Sequence, residues 1–199
     1  MKGIIPESDF SIHPKGALCS LFGEDSMMLS GGAATSSAYS IGQSCRFNDD
    51  DSAYLSRTPR VAGNTRTWTL DVKVKLGNLG ANRTIFSARD SAVHADARVE
   101  IRFNTSDQLE IFQYNGTGFD WQLISTQVFR DPAAWGMVTV AVDTTQGTAA
   151  DRVKIYVNGV LNDTQSDADS SIISNRYGTQ TYALGKACDN DGFNFNGSM

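Results

Sequence analysis

Glu100 and Glu110, His13 and His94, and the acidic runs Asp49-Asp50-Asp51 and Asp189-Asn190-Asp191 are the side chains of this sequence whose types could do chemistry. Paired carboxylates hydrolyse glycosidic bonds when they flank one cleft as acid and nucleophile or base. Glu100 and Glu110 do not form such a pair in the sequence. Each falls singly on its own expected strand, alternating with Ile101, Phe103, Leu109 and Ile111, and so reads as a solvated, outward-facing residue. Catalysis is not expected of them. The histidines are far apart, one in an N-terminal stretch and one in a loop, which gives no triad and no histidine-rich metal site. The acidic runs carry oxygen ligands suited to a hard cation such as calcium, with Asp189 and Asp191 as first choices. The same residues are turn formers for backbone reasons alone, and the turn reading comes first.

Aromatic residues are the other candidates. If Leu109 and Ile111 point inward, a period of two sends Phe112 and Tyr114 to the opposite face, with Phe119 and Trp121 following across a glycine-containing turn. Rings would then line an outer surface, where the first reading is that they are core or covered by a loop, the second a subunit interface and the third a sugar platform.

These side chains need a sheet to hold them. Residues 135–161 supply its clearest part: Val138, Val140 and Val142 alternate with Met137, Thr139 and Ala141, and Val153, Ile155 and Val157 repeat the period. Asn158-Gly159 then fits a two-residue type I′ turn, placing Val157 opposite Val160 and Tyr156 opposite Leu161. Residues 67–75 alternate likewise, with Trp68, Leu70, Val72 and Val74 inward, and 84–88, 99–103, 108–114, 121–129 and 182–185 continue the series. No stretch has helical period over a convincing length, and a single turn of helix within 164–176 is the most expected. The pattern predicts an all-β antiparallel sandwich over residues 44–199, preceded by an extended N-terminal arm, residues 1–43, with Gly31-Gly32 and small residues between dispersed apolar anchors.

Seventeen Lys and Arg against 22 Asp and Glu give a formal charge of −5, the wrong sign for a nucleic-acid partner. No stretch reaches the length of a membrane-spanning helix, so no membrane insertion is expected. Pro6, Glu7 and Asp9 interrupt the start where an export signal would be apolar. Cys19, Cys45 and Cys188 are widely spaced and odd in number, which favours free thiols over a framework of bridges, a Cys45–Cys188 bridge remaining the alternative.

Residues 44–59 with their Asp49-Asp50-Asp51 run, together with 67–75, 84–87, 135–142 and 153–160, resemble a laminin-G-like domain of the concanavalin A-like jelly-roll superfamily. The wording is most similar to domains in tail-fibre and other virion proteins of phages. That resemblance implies a jelly roll without enzymatic activity or obligate cofactor, calcium being the one ion such domains can take. It further implies a virion protein made in the host cytoplasm, held to other virion proteins through residues 1–43, in a homo-oligomer such as a trimer. The alternatives are a carbohydrate-binding adhesin domain that engages host-surface glycan and, third, a polysaccharide hydrolase. Domains of this kind usually continue into a further strand near the first. Residues 192–199 are therefore expected to run toward Cys45-Arg46-Phe47, the sheet being completed by more chain, by the arm or by a neighbour.

Overall fold

The computed structural model describes residues 44–89, 97–162, 181–187 and 194–199, and the backbone of 11–12 and 18–19. Among the described residues, fourteen strands form two seven-stranded antiparallel sheets packed as a sandwich. The first sheet runs in the order β1 (Ser11–Ile12), β4 (Leu55–Arg57), β13 (Tyr182–Leu184), β6 (Arg83–Arg89), β7 (Arg98–Phe103), β8 (Gln108–Tyr114) and β9 (Phe119–Val128). The second runs β12 (Val160–Leu161), β11 (Val153–Val157), β10 (Gly136–Asp143), β5 (Thr67–Leu76), β14 (Gly197–Ser198), β3 (Cys45–Phe47) and β2 (Leu18–Cys19). The helical turn among the described residues is a 3₁₀ turn at Ala149–Asp151; the turn expected within 164–176 lies outside them. No helix of the described residues is long and apolar enough to cross a membrane.

The alternating valines do what their period requires. Val138, Val140, Val142, Val153, Ile155 and Val157 are buried, and the inward side chains of β5 pack against them, Trp68, Leu70 and Val72 being half-buried. β10 pairs with β11 on one side and β5 on the other, so each apolar position on β10 has a cross-strand neighbour on both flanks. The hairpin closes on Asn158 (φ 50°) and Gly159 (φ 81°), with Val157 opposite Val160 and Tyr156 opposite Leu161, as the sequence predicts. Asn158 also ties the hairpin back: its N–H donates to the Met137 carbonyl and its Oδ1 accepts from the Met137 N–H, at 2.8 and 2.9 Å. Asn162 joins the sheets at that edge by accepting, through Oδ1, from Thr126 Oγ1 and the Gln127 N–H on β9.

The other end of the second sheet is closed by the chain's own late segment. β14 lies between β3 and β5, pairing Gly197 with Phe47 and with Leu76, and the Cys45 N–H donates to the Met199 carbonyl at 2.9 Å. Residues 197–199 thus run to 45–47 as expected. On the far side of β3 the neighbour is β2, from the arm, with Cys19 directly opposite Cys45. Of the three ways to complete this sheet, the described backbone uses the arm. Phe195 is buried against Phe47 with ring centroids 6.2 Å apart.

One expectation is corrected here. Cys45 is disulfide-bonded, not a free thiol, and its partner's side chain lies outside the described residues. Widely spaced cysteines carry no signal in sequence when the sheet, rather than a local loop, brings them together.

Candidate functional site

The faces of the first sheet divide sharply. On the outward face of β6 to β9 stand Thr84, Ser87, Arg98, Glu100, Arg102, Glu110 and Phe112, and almost all of them are buried. Glu100 and Glu110 are therefore not solvated, contrary to the reading of their alternation. Alternation separates two faces but does not say which is wet. Thr84 Oγ1 donates to Glu100 Oε1 at 2.6 Å and Arg98 Nε to Oε2 at 2.9 Å. Arg102 Nε donates to Glu110 Oε2 at 2.7 Å, with its Nη1 3.8 Å from Glu100 Oε1, and Gln122 Nε2 donates to the other Glu110 oxygen. Burial pushes the Glu100 carboxyl up, outweighing the opposing pull of Thr84, Arg102 and Arg98. The guanidiniums of Arg98 and Arg102 lie over the Phe112 ring, 5.6 and 4.7 Å from its centroid.

The four aromatic candidates separate. Phe112 is buried in that network, Tyr114 is half-buried, and Phe119 is 51% exposed and packs edge-on against both. Trp121 does not share their face. An irregularity between Gln113 and Tyr114 pairs Tyr114 with Phe119 but Gln113 with Trp121, and this turns the indole into the sandwich. A single outer row of rings would have required an unbroken register.

Trp121 instead helps wall a cavity of about 310 Å³ between the sheets. One rung of the first sheet supplies a side of it: Tyr182 on β13 pairs with Ala88 on β6, Ala88 with Val99 on β7, Val99 with Gln113 on β8, and Gln113 with Trp121 on β9. The facing side comes from Trp68 and Leu70 on β5 and Val142 on β10, and Trp68 and Val142 are themselves register partners. Small side chains in the middle of the rung and rings at its ends leave the space. Gly63 and Asn64, both exposed, also line it, so the cavity runs from the surface inward past buried Ala88 and Val142. Trp68, Phe86 and Tyr182 form a chain of rings along it, with centroids 6.5 and 5.5 Å apart. The Trp121 indole N–H is buried and has no acceptor among the described residues. Gln113, also buried, donates through Nε2 to Asp120 Oδ2 at 2.7 Å. Periodicity could identify inward residues but not a void, which depends on which small residues share a rung.

The acidic run at 49–51 sits at the opposite end of β5. Its turn chemistry is plain: the Ser52 N–H donates to the Asp49 carbonyl, and the Asp50 N–H to Asp49 Oδ1. Asn78 Nδ2 donates to Asp49 Oδ2 and Asn196 Nδ2 to Oδ1, while Asn194 Nδ2 reaches the Asp49 carbonyl. The amide oxygens of Asn78 and Asn194 are buried without a donor. Oxygens of this kind are ligands a hard cation takes, and a cation bound there would displace the Asn78 and Asn196 amides from the Asp49 carboxylate. Asp189 and Asp191 lie outside the described residues, as do His13 and His94. Among the described residues no three His, Cys, Asp or Glu side chains converge as a metal cluster.

The family model described as the concanavalin A-like lectin/glucanases superfamily matches residues 47–199. No curated protein matches the sequence. Among solved structures the chain is similar to the native heptameric SAP-like pentraxin from Limulus polyphemus, at 14% identity and a TM-score of 0.52 over 73% of this chain and 65% of that one. It thus spans less than two thirds of that pentraxin's length. It is also similar to the IT-sialidase CBM40 of Ruminococcus gnavus, solved bound to alpha2,3 sialyllactose, at 16% identity and a TM-score of 0.51 over 67% of this chain and 72% of that one. At such identities the likeness is one of fold.

Proposed function

This chain belongs to the concanavalin A-like lectin/glucanases superfamily, and on that footing we propose that it is a non-enzymatic carbohydrate-binding jelly-roll domain. The observation that carries the reading is the ring-walled cavity between the Tyr182–Trp121 rung and Trp68, which reaches the surface at Gly63 and Asn64. Rings that present a face to a cleft stack on the apolar face of a sugar, while a few placed polar groups orient it. The carbohydrate-binding module among the similar folds supports the same reading. Hydrolysis is disfavoured because both candidate carboxylates are engaged on each oxygen and buried, leaving neither a free acid nor room for the attacking water.

The finer reading places this domain on a phage particle, where it engages host-surface glycan and is held to other virion proteins by residues 1–43, in a homo-oligomer. A disulfide at Cys45 suits display outside a reducing compartment. Calcium at the Asp49, Asn78 and Asn194 oxygens is proposed as a structural ion, supported by the two orphaned amide oxygens.

A glycan array probed with the full chain tests the main reading. Binding that is weakened by Trp68→Ala, with no release of reducing ends from the bound polysaccharide, is the expected result. Absence of binding to any glycan, or reducing ends whose release is lost in Glu100→Gln, would overturn it.

A further inference from the structure

The cavity's polar groups select among sugars. An indole N–H can only donate, and that of Trp121, a residue 3% exposed, is buried with no acceptor among the described residues. A sugar hydroxyl placed against it would accept this bond and then have to lodge its own proton. Of the buried side chains of the lining, Ala88, Val99 and Val142 are apolar and Gln113 is the one that could accept that proton, so a hydroxyl would use up donor and acceptor together. A carbonyl needs only donors.

The neighbouring side chain adds the second half of the pattern. Gln113 is the direct register partner of Trp121, and its Nε2 is committed to Asp120, which fixes the amide and leaves Oε1 as the acceptor. Opposed side chains on adjacent strands start from Cβ atoms about 5 Å apart. A planar amide lying between them can accept from Trp121 with its carbonyl and donate its N–H to Gln113 Oε1, as a peptide unit does within a sheet. A methyl group on that amide would meet the apolar wall.

We propose that this cavity takes the acetamido group of an N-acetylated sugar, with Trp121 as donor and Gln113 as acceptor. The inference rests on the carbohydrate-binding reading above and adds the substituent that is recognised. It also accounts for a polar atom that is otherwise buried without a partner.

Titration of the full chain with N-acetylglucosamine and N-acetylgalactosamine, against glucose and galactose, separates the two levels. At least one acetylated sugar is expected to bind about tenfold or more tightly than its parent, the worth of one or two well-placed hydrogen bonds. Its addition should move the Trp121 indole proton in the NMR spectrum, assigned from Trp121→Phe, while the indole of Trp135, outside the cavity, serves as the internal reference. Trp121→Phe and Gln113→Leu should each lose about three- to tenfold in affinity for the acetylated sugar, a larger factor than either loses for its parent. Equal binding of parent and acetylated sugars, or an unmoved Trp121 resonance on saturation, overturns the acetamido assignment and leaves the carbohydrate reading standing. No binding of these four sugars together with a blank glycan array overturns both. If Trp121→Phe fails to fold, the indole resonance of the unaltered protein decides.

Discussion

Arg98 donates from Nε to the carboxylate of Glu100, two residues on along the same strand, at 2.9 Å, and the two side chains share the outward face of β7. That pairing, with Thr84 and Arg102, holds a buried acid whose protonation is linked to folding. Burial raises the Glu100 folded-state value above its unfolded one, so its contribution is complete below the ordinary glutamate range and declines as pH rises through the raised value. Asp107 runs the other way. Burial opposes its charge, but the Gly80 N–H, the Arg83 guanidinium and Arg130 together hold it below the ordinary aspartate range. Its contribution is complete above that range and is lost as pH falls through the depressed value. Urea unfolding across pH should therefore show Glu100→Gln gaining on the parent as pH rises past the glutamate range, with the acid limb retained.

Asp107 pairs with Arg83 at 2.7 Å, and the guanidinium is fully buried, stacked near the Phe103 ring and donating to the Asn78 carbonyl. Asp107→Ala would leave that cation without its carboxylate. A loss of about 3–5 kcal/mol is expected in denaturant titration, partly recovered in Asp107→Ala with Arg83→Met.

Gly197 has φ +145°, and a Cβ there would lie 2.0 Å from the Lys75 carbonyl oxygen. Neither the backbone angle nor the neighbour can accommodate a side chain. Gly197→Ala should expel β14 from between β3 and β5, costing about 2 kcal/mol or more, and amide exchange at Cys45 should accelerate because its acceptor is the Met199 carbonyl.

Reduction of the Cys45 bridge should lower the melting temperature, by the equivalent of about 2–4 kcal/mol. Comparing thermal melts with and without reductant, alongside Cys45→Ser, checks this, and the mutant should be insensitive to reductant at this site.

Calcium held by Asp49, Asn78 and Asn194 should stabilise the fold by about 2.7 kcal/mol at a hundredfold excess over the dissociation constant, read as a higher melting temperature. A chelator should reverse the shift, and Asp49→Ala should abolish it while leaving sugar binding unchanged.

Much of the sandwich was legible because its strands obey a period of two. The β10–β11 pairing follows from alternation and the β11–β12 hairpin from Asn-Gly chemistry, while the run of residues 197–198 to 46–47 follows from the resemblance. The site was less legible, for reasons particular residues make clear. Glu100 was misread because alternation was equated with exposure, yet Arg98 and Arg102 at the two flanking same-face positions were the available sign of a buried ion pair. Trp121 was placed on the wrong face because an irregularity at Gln113 and Tyr114 has no marker in the residues themselves. The cavity depends on Tyr182, Ala88, Val99, Gln113 and Trp121 falling on one rung, a coincidence of five strands that local pattern does not encode.

The insertion of β14 between β3 and β5 bears on how the molecule is made. A ribosome releases residues 45–47 and 67–76 long before 197–198, so during synthesis the second sheet has a lane open between two finished strands. Each borders that lane with unpaired amides and carbonyls. Pairings so remote in sequence form slowly, and a lane that waits can accept the same segment from another copy. Nascent or briefly denatured chains should therefore trade their β14 segments at high concentration, whereas chains that refold when dilute each fill their own.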